Sequence, residues 1–126
     1  LKMDANWWTS KLLHLKNQVE KKAASTFNSV LLNLYRDGKD SNGWHADNEK
    51  ELGTNPIIAS ITLGSERFFH LKHISNPEYK CKIKLENGSL LLMKGRTQHC
   101  YKHQIPKTMQ DVEPRINLTF RTIEKL

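Results

Sequence analysis

The segment EPRINLTFR, residues 113–121, alternates apolar and polar side chains without a break. Ile116, Leu118 and Phe120 fall on one face, and Arg115, Asn117, Thr119 and Arg121 on the other. With its β-branched content this pattern reads as a strand, so the chain must build a sheet around it. The polar face has two readings. Either it is the wet side of an antiparallel sheet, where such faces usually point, or four polar groups in a row line a cavity and hold a small acid.

The rest of the chain reads as one helix followed by strands. WWTSKLLHLKNQVEKKA, residues 7–23, places Leu12, Leu15 and Val19 at helical spacing with Leu13 beside them, and Thr9 or Ser10 suits the cap. This helix is expected to pack on a sheet. Seven strand-like segments follow: TFNSVLLNLYR, PIIASITLG, ERFFHLKH, YKCKIKLENG, SLLLMKG, QHCYKHQIP and EPRINLTFRTI, each bounded by Gly, Pro, Asn or Asp. A mainly β sandwich or barrel with an N-terminal helix is the expectation. No repeat, low-complexity tract or linker divides residues 1–126, which read as a single domain. DGKDSNGWHADNEKELGTNP, residues 37–56, is the longest irregular segment, and loops of that length tend to carry function.

Composition narrows the partners. A chain of 126 residues can bury a core without staples. Its hydrophobic share of 37% and mean hydropathy of −0.65 are low, yet apolar residues are spread throughout, which points to a folded protein. No run of about 18 apolar residues is present to cross a bilayer, and no signal-like start is seen. The chain begins at Leu1 without an initiator Met and is expected to be a fragment. Cys81 and Cys100 are read as plain thiols in a reducing, cytosolic setting. Twenty basic residues against 13 acidic ones give +7, which favours a polyanionic partner, nucleic acid first. In YKCKIKL, Lys80, Lys82 and Lys84 share a face that is either a solvated edge or a phosphate contact.

WHAD carries His45 and Asp47 two residues apart, so in an extended chain both point the same way. An imidazole and a carboxylate converging on one point are two-thirds of the facial triad that suits non-haem Fe(II). QHCYKHQIP offers His99 and His103 for the third place. Four residues apart on a strand, they lie about 13 Å from each other, so only one can join. A structural zinc using Cys100 is the competing reading.

Four segments in this order, NLY at 33–35, WHAD at 44–47, HQIP at 103–106 and RINLTFR at 115–121, resemble the AlkB family of Fe(II)- and 2-oxoglutarate-dependent dioxygenases that repair alkylated nucleobases. The likeness runs from about Trp7 to Ile123. NSVLLNLYRDGKDSNGWHAD and PIIASITLG look most like the subgroup that demethylates DNA and RNA. The resemblance implies a double-stranded β-helix, a jelly-roll barrel whose open end holds the metal and whose last strand turns its polar face inward. It implies His45, Asp47 and His103 as iron ligands, His103 being preferred to His99 because it directly precedes QIP and stands twelve residues before Arg115.

By the same resemblance Arg115 pairs with the distal carboxylate of 2-oxoglutarate, Arg121 lies near its other end, and Asn117 and Thr119 complete the wall. Asn33 and Tyr35, which share a strand face, donate hydrogen bonds to the co-substrate. Glu49 and Trp44 are expected beside the substrate base. The implied reaction consumes O2 and 2-oxoglutarate, releases succinate and CO2, and hydroxylates an N-alkyl carbon to an unstable hemiaminal that loses formaldehyde. A base in a duplex must be flipped out to reach such a site. The lid segment that related enzymes carry ahead of the helix is expected to be missing. Alkylated DNA or RNA is the expected partner of a cytoplasmic or nuclear monomer. The alternatives are a hydroxylase of another target and a non-catalytic, basic nucleic-acid-binding barrel.

Overall fold

The computed structural model describes residues 8–124; Trp7, assigned above to the start of the helix, lies outside the described residues. The chain forms α1 (Ser10–Ala23), β1 (Ser29–Tyr35), β2 (Asn42–His45), a 3-10 turn (Lys50–Leu52), β3 (Ile58–Gly64), β4 (Arg67–His73), β5 (Lys80–Leu85), β6 (Leu90–Met93), α2 (Thr97–Cys100), β7 (Tyr101–Ile105) and β8 (Arg115–Arg121). Two four-stranded antiparallel sheets result, in the orders β1-β8-β3-β6 and β2-β7-β4-β5. Except at the β4–β5 hairpin, each strand-to-strand connection passes from one sheet to the other, which is the winding of a jelly roll.

The helix begins where Thr9 Oγ1 accepts the Leu12 N–H at 3.2 Å, and it stops at Ala24, whose left-handed φ of 52° breaks the repeat. Val19 and Ala23, joined by Phe27, pack on Ala59, Ile61, Leu118 and Phe120. The apolar face of β8 therefore lies beneath α1, and its polar face turns inward between the sheets. A second core, with Ile58, Phe69, Leu85, Met93 and Ile105, fills the interior. Gly64 closes β3 at φ +96°, where a Cβ would meet the Pro114 carbonyl oxygen at 2.5 Å. That close approach brings Arg115 into register beside the end of β3.

Two expectations need correction. The segment 37–56 is not wholly irregular: Asn42–His45 forms an eighth strand, and Lys50–Leu52 a turn that buries Leu52. NGWH, with Asn and Gly in four residues, lacks a strand pattern; it is extended because β7 supplies its ladder, through a shifted register. QHCYKHQIP is not strand from its start. Residues 97–100 make a helical turn, with the His99 and Cys100 N–H groups donating to the Arg96 carbonyl, and the strand begins at Tyr101.

Phe120 is 0% exposed and lies 6.2 Å from the Phe27 ring. Phe120→Ala is expected to destabilise the chain by about 3–5 kcal/mol in denaturant titration; a loss below about 1 kcal/mol would mean that the helix–sheet layer is not the main core.

Candidate active site

Because the apolar face of β8 is covered by α1, Arg115, Asn117, Thr119 and Arg121 all line an interior cavity of about 90 Å³. Register sets their neighbours: Asn33 opposes Asn117 and Tyr35 opposes Arg115 across β1, while Thr62 opposes Asn117 and Ser60 opposes Thr119 across β3. Asn117 ties this wall together. Its Oδ1 accepts from Ser60 Oγ at 2.6 Å and from Arg115 Nη2 at 3.3 Å, and its Nδ2 donates to Thr119 Oγ1 at 2.8 Å.

Arg115 is 1% exposed. Its Nη2 donates to Thr62 Oγ1 at 3.0 Å, whereas Nε and Nη1 are buried without a partner. The guanidinium carbon lies 5.0 Å from the Tyr35 ring. Burial pushes its pKa down, and Tyr35 opposes the shift. Arg67, whose guanidinium carbon lies 5.6 Å from the same Tyr35 ring, makes the contrast: it donates to the carbonyls of Asp37, Asp40 and Pro106 at 3.2, 2.9 and 2.7 Å. Arg67 is satisfied by the fold, and Arg115 is not. A buried cation with free donors calls for an anion, and a planar fork matches a carboxylate.

The same cavity receives His45 and Asp47 from the end of β2 and the residues just after it, and His103 from β7. Their ligating atoms all lie within 4.8 Å of one another. His45 Nε2 is 3.9 Å from Asp47 Oδ1, and His103 Nε2 is 3.8 Å from Asp47 Oδ2. These gaps are too long for hydrogen bonds and leave room between the three donors. His45 Nδ1 lies 2.7 Å from the Gly43 carbonyl, an acceptor only, so the proton is on Nδ1 and the Nε2 lone pair faces the cluster. His103 is 4% exposed and stacks on Phe69 at 5.0 Å. Burial, and after it the repulsion that a protonated His45 would add, push its pKa down to about 4, leaving it neutral and able to bind a cation at neutral pH. Two imidazoles and one carboxylate suit a divalent metal such as Fe(II) with positions left open.

Not every candidate enters the cavity. Trp44 points to the outer face of its sheet, with Lys72 Nζ 4.2 Å from its ring centroid, and Glu49 caps the 3-10 turn as an exposed residue. His99 is exposed on α2, where its Nε2 accepts the Asn55 N–H at 3.4 Å. Cys100 and Cys81 are free, and among the described residues the cluster of three potential metal ligands is His45, Asp47 and His103. Sequence reading missed Arg67 and Gln98. Gln98, 1% exposed, accepts the Asp47 backbone N–H on its Oε1 at 2.8 Å and so fixes the carboxylate from behind. Pattern alone does not mark it, because it sits on the helical turn that precedes β7.

Comparison with known proteins adds four findings. A family model described as "2OG-Fe(II) oxygenase superfamily" matches residues 2–121. Alpha-ketoglutarate-dependent dioxygenase alkB homolog 3 of Bos taurus is 47% identical over 92% of this chain and 43% of its own length. DNA oxidative demethylase ALKBH2 of Homo sapiens is 36% identical over 92% of this chain and 47% of its own length. The chain thus spans less than half the length of these curated relatives. A solved structure described as "The structure of OsALKBH1" superposes with a TM-score of 0.61 at 19% identity, covering 89% of this chain and 60% of that one, a likeness of fold.

The two arginines should respond differently to truncation of charge. Arg67→Met strips three part-buried carbonyls of their donors and is expected to destabilise by about 1–3 kcal/mol. Arg115→Met removes an unpaired buried cation and is expected to leave the ligand-free chain as stable or more so. Equal losses in thermal unfolding would show that Arg115 is a structural residue.

Proposed function

The chain belongs to the 2OG-Fe(II) oxygenase superfamily, and on that premise we propose that it is the catalytic core of an enzyme that oxidatively dealkylates N-alkylated bases in DNA or RNA. The observation that carries this reading is the shared cavity: a His–Asp–His cluster and a buried arginine with two free donors line one pocket. His45, Asp47 and His103 would hold Fe(II). Bound there, the iron supplies O2 activation coupled to the conversion of 2-oxoglutarate into succinate and CO2, with hydroxylation of the target N-alkyl carbon.

The protein's part is positioning. Arg115 offers the distal carboxylate of 2-oxoglutarate its positive charge and its free donors, and Tyr35 holds its ring against that guanidinium. Arg121, whose buried Nε also lacks a partner, serves the other end of the acid. Asn33, Asn117 and Thr119 furnish polar wall, and Phe69, Leu85 and Ile105 keep the floor dry. Asn117 and Thr62 hold Nη2, so the guanidinium is fixed in place before the acid arrives. The hydroxylated carbon then leaves as formaldehyde without help from a protein nucleophile. Glu49 and Trp44 lie outside the cavity lining, so any contact with the base is made at the rim.

The net charge of +7 and the DNA demethylase activity for which ALKBH2 is named support a nucleic-acid substrate. Among the described residues no helix is long and apolar enough to cross a membrane. Free thiols suit a reducing cytoplasm or nucleus.

Formaldehyde release from N-methylated single-stranded oligonucleotides, in the presence of Fe(II) and 2-oxoglutarate, tests the proposal. Release is expected to depend on both and to fall by more than about a hundredfold in Asp47→Ala. Consumption of 2-oxoglutarate with no formaldehyde from any methylated oligonucleotide would assign the site to a different target.

A further inference from the structure

The outer face of the second sheet carries charge that neither the fold nor the cavity uses. β4, β5 and β7 turn Phe69, Leu71, Ile83, Leu85 and Ile105 into the core. The residues between them face away, and five of these are lysines. Register places Lys102 and Lys80 on either side of Lys72, as a row of three across neighbouring strands, and Lys82 opposite His70 in the next row. Like charges directly opposite one another destabilise a sheet. Among the described residues Lys84 has an ion pair with Glu66 at 3.0 Å, while Lys72, Lys80, Lys82 and Lys102 have no acidic partner. Burial and then the Lys82 charge push the His70 pKa down.

Edge protection explains only part of the pattern. β5 is an edge strand, and lysines there discourage pairing with other sheets. Lys72 and Lys102 lie on β4 and β7, the two inner strands, which have no edge to protect. Two exposed aromatics accompany the lysines: Trp44 at 38% exposure, beside Lys72, and Phe68 at 46%, opposite Lys84. Positive charge that tracks a backbone, interleaved with ring faces on which bases stack, is the chemistry of single-strand binding. The face also adjoins the cavity, since His45 points inward from β2 and its neighbour Trp44 outward.

We propose that this outer face is a track for the phosphate backbone of single-stranded nucleic acid, with Lys72, Lys80, Lys82 and Lys102 against the phosphates and Trp44 and Phe68 offering ring faces to the bases. A bound polyanion removes the repulsion within the lysine row. The choice of nucleic acid over other polyanions rests on the substrate reading above. The track leads a strand along the wall of the barrel to the cavity mouth, and so gives the enzyme affinity for unmodified flanking nucleotides.

The test is binding of a labelled oligothymidylate to the whole chain across a salt series. It compares Lys80→Gln/Lys82→Gln/Lys102→Gln with a control of equal charge loss on α1, Lys11→Gln/Lys21→Gln/Lys22→Gln. Each phosphate contact contributes about 0.7 to the salt slope for a single strand. The sheet variant is expected to lose about 2 from the slope and on the order of a hundredfold in affinity at about 0.1 M salt, and the control to keep its slope. Equal losses in both variants, or an unchanged slope in the sheet variant, would overturn the proposal, as would a loss seen only with phosphatidylserine vesicles or polyglutamate. Binding of 2-oxoglutarate with Mn(II), measured on the same samples, separates the two readings. A lysine-dependent slope without 2-oxoglutarate binding keeps the track and removes the oxygenase; intact 2-oxoglutarate binding with an unchanged slope does the reverse.

Discussion

Among the described residues Arg115 is the largest fully buried side chain, and two of its three guanidinium nitrogens have no hydrogen-bond partner there. A charge in that position is tolerable only if an anion arrives to share it, so the barrel has to be organised around this one cation. The rest of the architecture follows. If β8 turns its polar face inward, its apolar face must be covered from outside, and α1 with Phe27 supplies that cover. The interior then needs its own apolar layer, which Ile58, Phe69, Met93 and their neighbours provide beneath the polar wall.

The two halves of the site are held by different means. The anion half is built on sheet register: Tyr35 and Thr62 meet Arg115 because β1 and β3 flank β8, and Asn117 meets it from two residues further along the same strand. The metal half is assembled from a short, irregular strand and the residues after it, and depends on side-chain supports. Gly43 orients His45, Gln98 holds the backbone of Asp47, and Phe69 stacks on His103. Register is robust, whereas supports of this kind act through single contacts. Substitutions behind the metal cluster should therefore perturb it without unfolding the barrel.

Legibility in the sequence followed the same division. The helix and the long strands could be read because period-two and helical patterns survive wherever one face is buried, whereas the alternation in RINLTFR left the direction of its polar face open and only the resemblance implied that it turns inward. The resemblance carried by WHAD, HQIP and RINLTFR supplied the pocket residues, and the structure brings His45, Asp47, His103, Asn33, Tyr35, Arg115, Asn117, Thr119 and Arg121 to one cavity. β2 was not legible, since Asn42 and Gly43 look like a turn until β7 pairs with them. Nor was the helical turn at 97–100, where a strand pattern continued from Tyr101 backwards gives way to bonds to Arg96. Gln98 and Arg67 have roles set by distant backbone groups, which no local spacing encodes. The lysine rows were half visible: Lys80, Lys82 and Lys84 share a strand face in the sequence, but Lys72 and Lys102 join them only through cross-strand register.

Calorimetric titration of 2-oxoglutarate into the chain under anaerobic conditions, with Mn(II) in place of Fe(II), is the most direct test that the cavity pairs a metal with a dicarboxylate. The structure predicts binding that vanishes when the metal is chelated and collapses in Arg115→Ala. Binding indifferent to both the metal and the substitution, or no binding by the wild-type chain, would contradict it.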